Sequence, residues 1–329
     1  MNFDVVTFGS ATRDIFVRSK KFKIIESGDF LTGRALAIGA GEKIYVEELI
    51  FSSGGGGTNV AATFAEQGFK TAFIGLVGND LPGKEIIKEM GMMGAAIDFI
   101  KITNKAATPV SIILSAPEKE RSILVYEGAS HLLEEGDVPW DKIKQAKWFY
   151  ISGLSGKSAA VFALIIDFAK ANGIKLAVNP GHDQVEKDLI ILKSFLDKID
   201  ILLVNQEEAS AITGIDFKQE EEVFKKFDEL VSGIAVMTKG KEGVVASDGK
   251  NIYKAGIPDS GYADRTGAGD AFGSGFVSGI IEKNDIEYAI QLATANATSC
   301  VQQIGAKNGL LKKGEWGEWG KVKVEKKQI

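Results

Sequence analysis

The sequence predicts a doubly wound α/β fold, a mostly parallel sheet flanked by helices, with a small inserted β-sheet forming a lid. Three observations carry this reading. Short apolar runs alternate with amphipathic, helix-like stretches along most of the 329 residues, the pattern of parallel βαβ units whose sheet is covered on both faces. Two segments break that alternation and are β-rich without a helix between their strands. Several apolar runs end in Gly, Asn or Thr, so polar groups gather where such strands stop.

The elements follow in order. VVTFG (5–9) opens as a strand, and ALAIGAGEKIYVEELIF, further on, is β-rich. SSGGGGTNVAATFAEQG (52–68) passes from glycines into a helix that stops at a Gly suited to a C-cap. TAFIGLVG (71–78) is a buried strand, followed by the helix PGKEIIKEMGMMG. VSIILSAP and RSILVYEGAS are strands joined by a polar APEKE turn. WFYISG (148–153), IKLAVNP (174–180), DILLVN (200–205) and GIAVMTKG (233–240) are further strands, with SAAVFALIIDFAKANG a helix after the first of them. The expected organisation is a core of residues 1–12, 51–102 and 129–329, with 13–50 and 103–128 as a lid. The Lys-rich end KVKVEKKQI is expected to be a solvated terminus.

Composition excludes several function classes. Lys and Arg total 39 against 44 Asp and Glu, and the net charge of −5 argues against a nucleic-acid or anionic-membrane binder. Cys300 is the single cysteine, so no intrachain disulfide forms, and His131 and His182 are too few for a Cys/His zinc cluster. MNFDVVTFGS lacks the parts of a signal peptide and no apolar run approaches membrane-spanning length. A soluble, cytoplasmic protein is expected.

The stretch DRTGAGDAFGSGF (264–276) sets small residues before an acid at the mouth of a helix. Bare N–H groups at a helix N-terminus form an anion site. Asp270 is then either a first-turn capping acid or a general base beside a phosphate-binding turn. Other phosphate loops fit poorly: SGLSGKS has two residues between its glycines where a P-loop needs four, and FGSATRD lacks the G-x-G-x-x-G of a dinucleotide site. Gly54 to Gly57 permit close approach of a ligand or act as a hinge, and Asn59 is either a helix cap or an amide for substrate hydroxyls. Asp14 lies beyond the first strand, on the edge where such sheets bind ligands, or is a turn acid beside Arg13. Asn205 with Glu208, and Thr238 with Gly240, follow two other strand ends.

Taken together, FGSATRD, GGGGTN, TPVSIIL with EGAS, NQEEA, MTKG and DRTGAGD resemble the ribokinase/PfkB family of carbohydrate and nucleoside kinases over nearly the whole chain. The resemblance implies an ATP-dependent sugar kinase in which Asp270 is the catalytic base and the amides of Gly267, Ala268 and Gly269 form an anion hole. It implies substrate contacts from Asp14, Gly55, Gly56 and Asn59, and nucleotide contacts from Asn205, Thr238 and Gly240. Glu208 would serve Mg²⁺ through water, and Asp264 a monovalent cation such as K⁺, with Arg265 where a small residue is commoner. Gly56 stands where ribokinases proper carry Lys in GGKGAN. A nucleoside kinase, and a non-catalytic sugar or nucleotide sensor, are the alternatives. Relatives often dimerise through their lid sheets.

Overall fold

A computed structural model describes residues 2–30, 33–117 and 121–329. Its strands, in chain order, begin with β1 (Val5–Phe8), β2 (Thr12–Arg18), β3 (Lys23–Glu26), β4 (Arg34–Ala37) and β5 (Glu48–Gly54). Next come β6 (Thr71–Gly78), β7 (Ile100–Thr103), β8 (Val110–Ser115), β9 (Arg121–Tyr126) and β10 (Trp148–Ser152). The series ends with β11 (Lys175–Asn179), β12 (Ile201–Asn205), β13 (Ile234–Thr238), β14 (Val244–Ser247), β15 (Asn251–Ala255) and β16 (Val324–Gln328).

Ten of these form one sheet in the order β16-β15-β14-β13-β12-β11-β10-β1-β6-β7. It is parallel from β7 to β13 and antiparallel from β13 to β16. Strands such as β6, all eight residues of it buried, are apolar on both sides because helices cover both faces. Alternation sends Phe149 to one face and Tyr150 to the other. On the Phe149 face lie helices Ala159–Ala171, Gln206–Thr213 and Glu220–Leu230; on the Tyr150 face lie Gly56–Glu66, Ala268–Lys283 and Ile286–Cys300.

The last two helices pack backbone to backbone. A Cβ added at Gly275 or Gly279 would lie 3.0 or 2.5 Å from the Cα of Ala293 or Ala289, so only glycine allows this approach. Helix Ala268–Lys283 is thereby held firmly at the place where its first turn faces the site.

The second sheet, β5-β2-β8-β9, is small, separate and mostly antiparallel, and β3 and β4 form a hairpin of their own. Its edge strands expose large apolar residues, Leu49 and Phe51 on β5 and Ile123 to Tyr126 on β9. Glu118, Lys119 and Glu120 of the APEKE turn lie outside the described residues, as do Leu31 and Thr32. KVKVEKKQI is largely exposed, as a solvated terminus would be, but it is also ordered: β16 pairs with β15 as the edge strand of the large sheet. Val322 and Val324 pack inward while the lysines between and after them face solvent, a period-two pattern masked by its charge. Among the described residues, no helix is long and apolar enough to cross a membrane.

Candidate active site

Parallel topology sends the carboxyl ends of the central strands to one edge of the sheet. Ser152 of β10 is in register with Asn179 of β11, and Asn205 of β12 with Thr238 of β13. Buried apolar runs thus end together in polar side chains, the edge at which open α/β sheets bind ligands.

The GAG turn stands over this edge. Gly267 adopts φ 77°, and a side chain there would run into Ala306, so both backbone angle and space demand glycine. No side chain caps the helix that follows, Ala268–Lys283. Its first-turn N–H groups, with the positive end of the dipole behind them, are the apparatus of an anion site. Asp270 does not cap it. Its Oδ2 accepts a hydrogen bond of 2.8 Å from Nδ2 of Asn59, on helix Gly56–Glu66. Burial pushes the Asp270 carboxyl up in pKa, opposed by the Asn59 hydrogen bond and by the positive charge of Lys307. A carboxylate so placed is a stronger base than a solvated aspartate.

The glycine run makes the Asn59–Asp270 approach possible. A Cβ on Gly56 would strike Ser152 Oγ and come within 3.5 Å of Asp270 Oδ1, while the Gly56 amide donates to Ser10 Oγ at 3.1 Å. Gly55, at φ 92°, packs against the Ser10 carbonyl. Asp14 is no turn acid: it is buried within β2, its carboxylate against Gly54. Burial raises its pKa to about 6, with nearby Asp264 adding to the rise and Lys307, a Ser111 hydrogen bond and Arg13 opposing it. Arg13 itself ties β2 to helix Leu81–Met92 through Glu89 at 2.7 Å and Glu85 at 3.3 Å.

Across the GAG turn, a cleft of about 140 Å³ is lined by Thr238, Gly240, Gly243, Ala268, Gly269 and Phe272, among others. Thr238 and Gly240 therefore share a cavity with the anion turn. Asn205 and Glu208 form a capping box: Asn205 Oδ1 accepts from the Glu208 amide at 2.8 Å, and Glu208 Oε2 from the Asn205 amide at 2.9 Å. Burial raises the pKa of Glu208, with the Asn205 hydrogen bond opposing. Among the described residues, no group of three or more His, Cys, Asp or Glu side chains is arranged to hold a metal ion.

Asp264 is already matched by a cation of the chain itself. Arg121, at the start of β9, donates to its Oδ1 at 2.9 Å and to Thr266 Oγ1 at 3.2 Å. Thr266 donates to the same carboxylate oxygen through its amide and hydroxyl, and the Gly305 amide donates to the other. Donors surround this carboxylate, an environment that does not fit a bound K⁺, and the chain's own guanidinium supplies the positive charge there.

Sequence reasoning missed Lys307, Arg121 and Ser152. Lys307 is 5% exposed, and its ammonium donates to Asn59 Oδ1 at 2.8 Å and to the Ser53 carbonyl at 2.9 Å. The available signal was a lone charge among small and apolar residues in IGAKNGLL, which charge counting does not weigh. SGLSGKS serves the fold instead: Ser158 bonds the backbone at Ser130 and Leu133, and Ser155 bonds His131.

Comparison with known proteins identifies the family and the fold. Residues 3–313 match the model of the pfkB family carbohydrate kinases. A ribokinase of Haemophilus influenzae is 28% identical over 274 residues, covering 82% of this chain and 88% of the relative. A nucleoside kinase of Methanothermobacter thermautotrophicus is 25% identical over 272 residues, covering 81% and 85%. The solved Arabidopsis thaliana ribokinase complexed with ribose and ATP superposes with a TM-score of 0.76 at 24% identity, covering 95% of this chain and 97% of that one. With the family model spanning nearly its whole length and its fold shared with solved ribokinases, the chain belongs to the pfkB family of carbohydrate kinases.

Proposed function

We propose that this protein is an ATP-dependent kinase that transfers the γ-phosphate to a hydroxyl of a small free carbohydrate, of the ribose, fructose or sugar-acid class. The observation that carries the reading is the hydrogen bond from Asn59 to Asp270, which joins the glycine-rich helix to the base at the anion turn. In this reading Asp270 takes the proton from the sugar hydroxyl as its oxygen attacks the γ-phosphate. The amides of Gly267, Ala268 and Gly269 meet the charge on the transferring phosphoryl group. Asp14, Gly55, Gly56 and Asn59 hold the sugar, and residues 13–50 and 103–128 act as the lid that excludes water from it.

Asn205, Thr238 and Gly240 border the nucleotide on the far side of the turn. Glu208, buried beside Asn205 at this strand end, would face an Mg²⁺ ion through water. When bound, the ion would neutralise phosphate charge. The exposed apolar edges of the small sheet support pairing with a second copy, which sedimentation would detect.

A nucleoside kinase is the second reading. It is favoured by the Methanothermobacter relative. The deciding experiment measures ADP release with Mg-ATP across matched panels of sugars, sugar acids, sugar phosphates and nucleosides, with Asp270→Asn as control. A sugar hit abolished in the control is expected; a hit confined to nucleosides moves the assignment, and silence on every panel favours a non-catalytic sensor.

A further inference from the structure

We propose that Lys307 is a positioning residue for phosphoryl transfer, orienting Asn59 so that its amide presents and steadies the Asp270 carboxylate. This rests on Asp270 being the base. Burying an ammonium is costly unless it is paired, so a lysine 5% exposed and within hydrogen-bond reach of a site residue calls for a reason. The geometry supplies one. Asn59 stands between a group that can only donate and one that, ionised, can only accept: Lys307 Nζ reaches its Oδ1 at 2.8 Å, and its Nδ2 reaches Asp270 at 2.8 Å. An amide has one accepting and one donating end, so these two neighbours together leave Asn59 a single orientation.

The backbone delivers Lys307 with equal care. After helix Ile286–Cys300 the chain turns so tightly that a Cβ at Gly309 would strike the Ser299 carbonyl, and Ala306 abuts Gly267 of the anion turn. Lys307 Nζ also bonds the Ser53 carbonyl of β5, so one side chain joins the small sheet to the glycine-rich helix, next to the residue that abuts the GAG turn. On the other flank of Asp270, Ser152 leaves no room for a side chain at Gly56, and positive charge for the base must arrive from elsewhere.

The charge acts on the same residues. Carboxylates face the ammonium from three elements, Asp14 on β2, Glu89 on helix Leu81–Met92 and Asp270 on helix Ala268–Lys283, and the Cys300 thiol faces it from helix Ile286–Cys300. All raise the lysine's pKa, while burial, the larger effect, brings it down to about 8. In turn the ammonium offsets the burial that pushes Asp14 and Asp270 toward their protonated forms. Lys307 therefore favours the ionised form of Asp270 as well as aiming it.

The test uses the full chain, the best substrate from the panels, and Lys307→Met and Lys307→Gln, each checked for folding by circular dichroism and thermal melting. Lys307→Met is expected to lower kcat about 100-fold through misplacement of the base. It is also expected to move the acid limb of the kcat/KM profile upward by about one pH unit, because Asp270 loses a cationic neighbour. Lys307→Gln, which can still donate to Asn59 but carries no charge, should shift the limb equally with a smaller fall in kcat. In an Asn59→Ala background, Lys307→Met should cost far less than it does alone. A folded Lys307→Met with unchanged kcat and acid limb overturns the proposal. Failure of both variants to fold overturns it in favour of a purely structural anchor. If Asp270→Asn kept turnover, the base assignment would fall and this inference with it. An inactive Asp270→Asn beside an indifferent Lys307→Met sinks this inference alone.

Discussion

The two walls of the site are built in opposite ways. On one, helix Ala268–Lys283 lies against helix Ile286–Cys300 with glycine backbone touching alanine backbone, and nearly all of the surrounding side chains are buried. On the other, the small sheet has both edge strands studded with exposed apolar residues. It is tied to the rest through Arg13 on Glu85 and Glu89, Arg121 on Asp264, and Lys307 on the Ser53 carbonyl. The difference teaches where rigidity is needed. Stabilising a transferring phosphoryl group depends on amides already fixed in place, whereas gripping a substrate requires a part that moves. Packing made of close backbone contacts cannot slide without clashing, whereas exposed ion pairs can break and re-form at little cost.

The largest effect should come from the rigid wall. Asp270→Asn is expected to keep the fold and its melting temperature while kcat drops by about 10³-fold, since an amide cannot accept the proton; rapid-quench or coupled-assay kinetics check it. If turnover persisted, this wall would be scenery and not chemistry. Gly279→Val should come next. Its side chain must displace the Ala289 backbone, for a loss of about 1–3 kcal/mol or more in denaturant unfolding. Tolerance of that change would show that the helix pair is looser than its contacts indicate.

The pH profile sharpens the contrast further. Burial raises both the Asp270 and the Asp14 carboxyls, so kcat/KM is expected to fall on acidification at a pH above the ordinary aspartate range, and any residual activity of Asp270→Asn should keep only the limb that belongs to Asp14, at about 6. The smallest effect belongs to the small sheet. Arg121→Ala, at a half-exposed ion pair worth about 0–1 kcal/mol, should leave melting unchanged and raise the sugar KM a few-fold. With Arg121 present, exchanging K⁺ for a bulky organic cation should leave turnover unchanged; a requirement for K⁺ in the native chain would mean that Asp264 serves an ion after all.

The contrast also explains what the sequence disclosed. β1, β6 and β10 to β13 are buried on both faces, so each is a continuous apolar run ending in a polar or small residue, and each was legible within a residue or two. The GAG turn announced itself because bare amides require small residues in succession. β15 and β16 were harder: short strands with a solvated face carry lysines that outweigh the apolar residues alternating with them, as in KVKVEKKQI. Lys307 and Arg121 were invisible for another reason. Each gains its meaning from a partner far away in the chain, Asn59 or Asp264, and no local window contains both ends of such a bond.

That distance has a consequence for how the protein comes into being. Asn59 and Asp270 are 211 positions apart and Asn59 and Lys307 are 248 apart, so the pairings around Asp270 close loops that take in well over half of the polypeptide. During synthesis the first βαβ units can collapse as they emerge, but the carboxylate, its amide and the ammonium meet only when the last tenth of the chain has docked. A nascent or truncated polypeptide can hold much of the large sheet before this carboxylate, amide and ammonium are brought together.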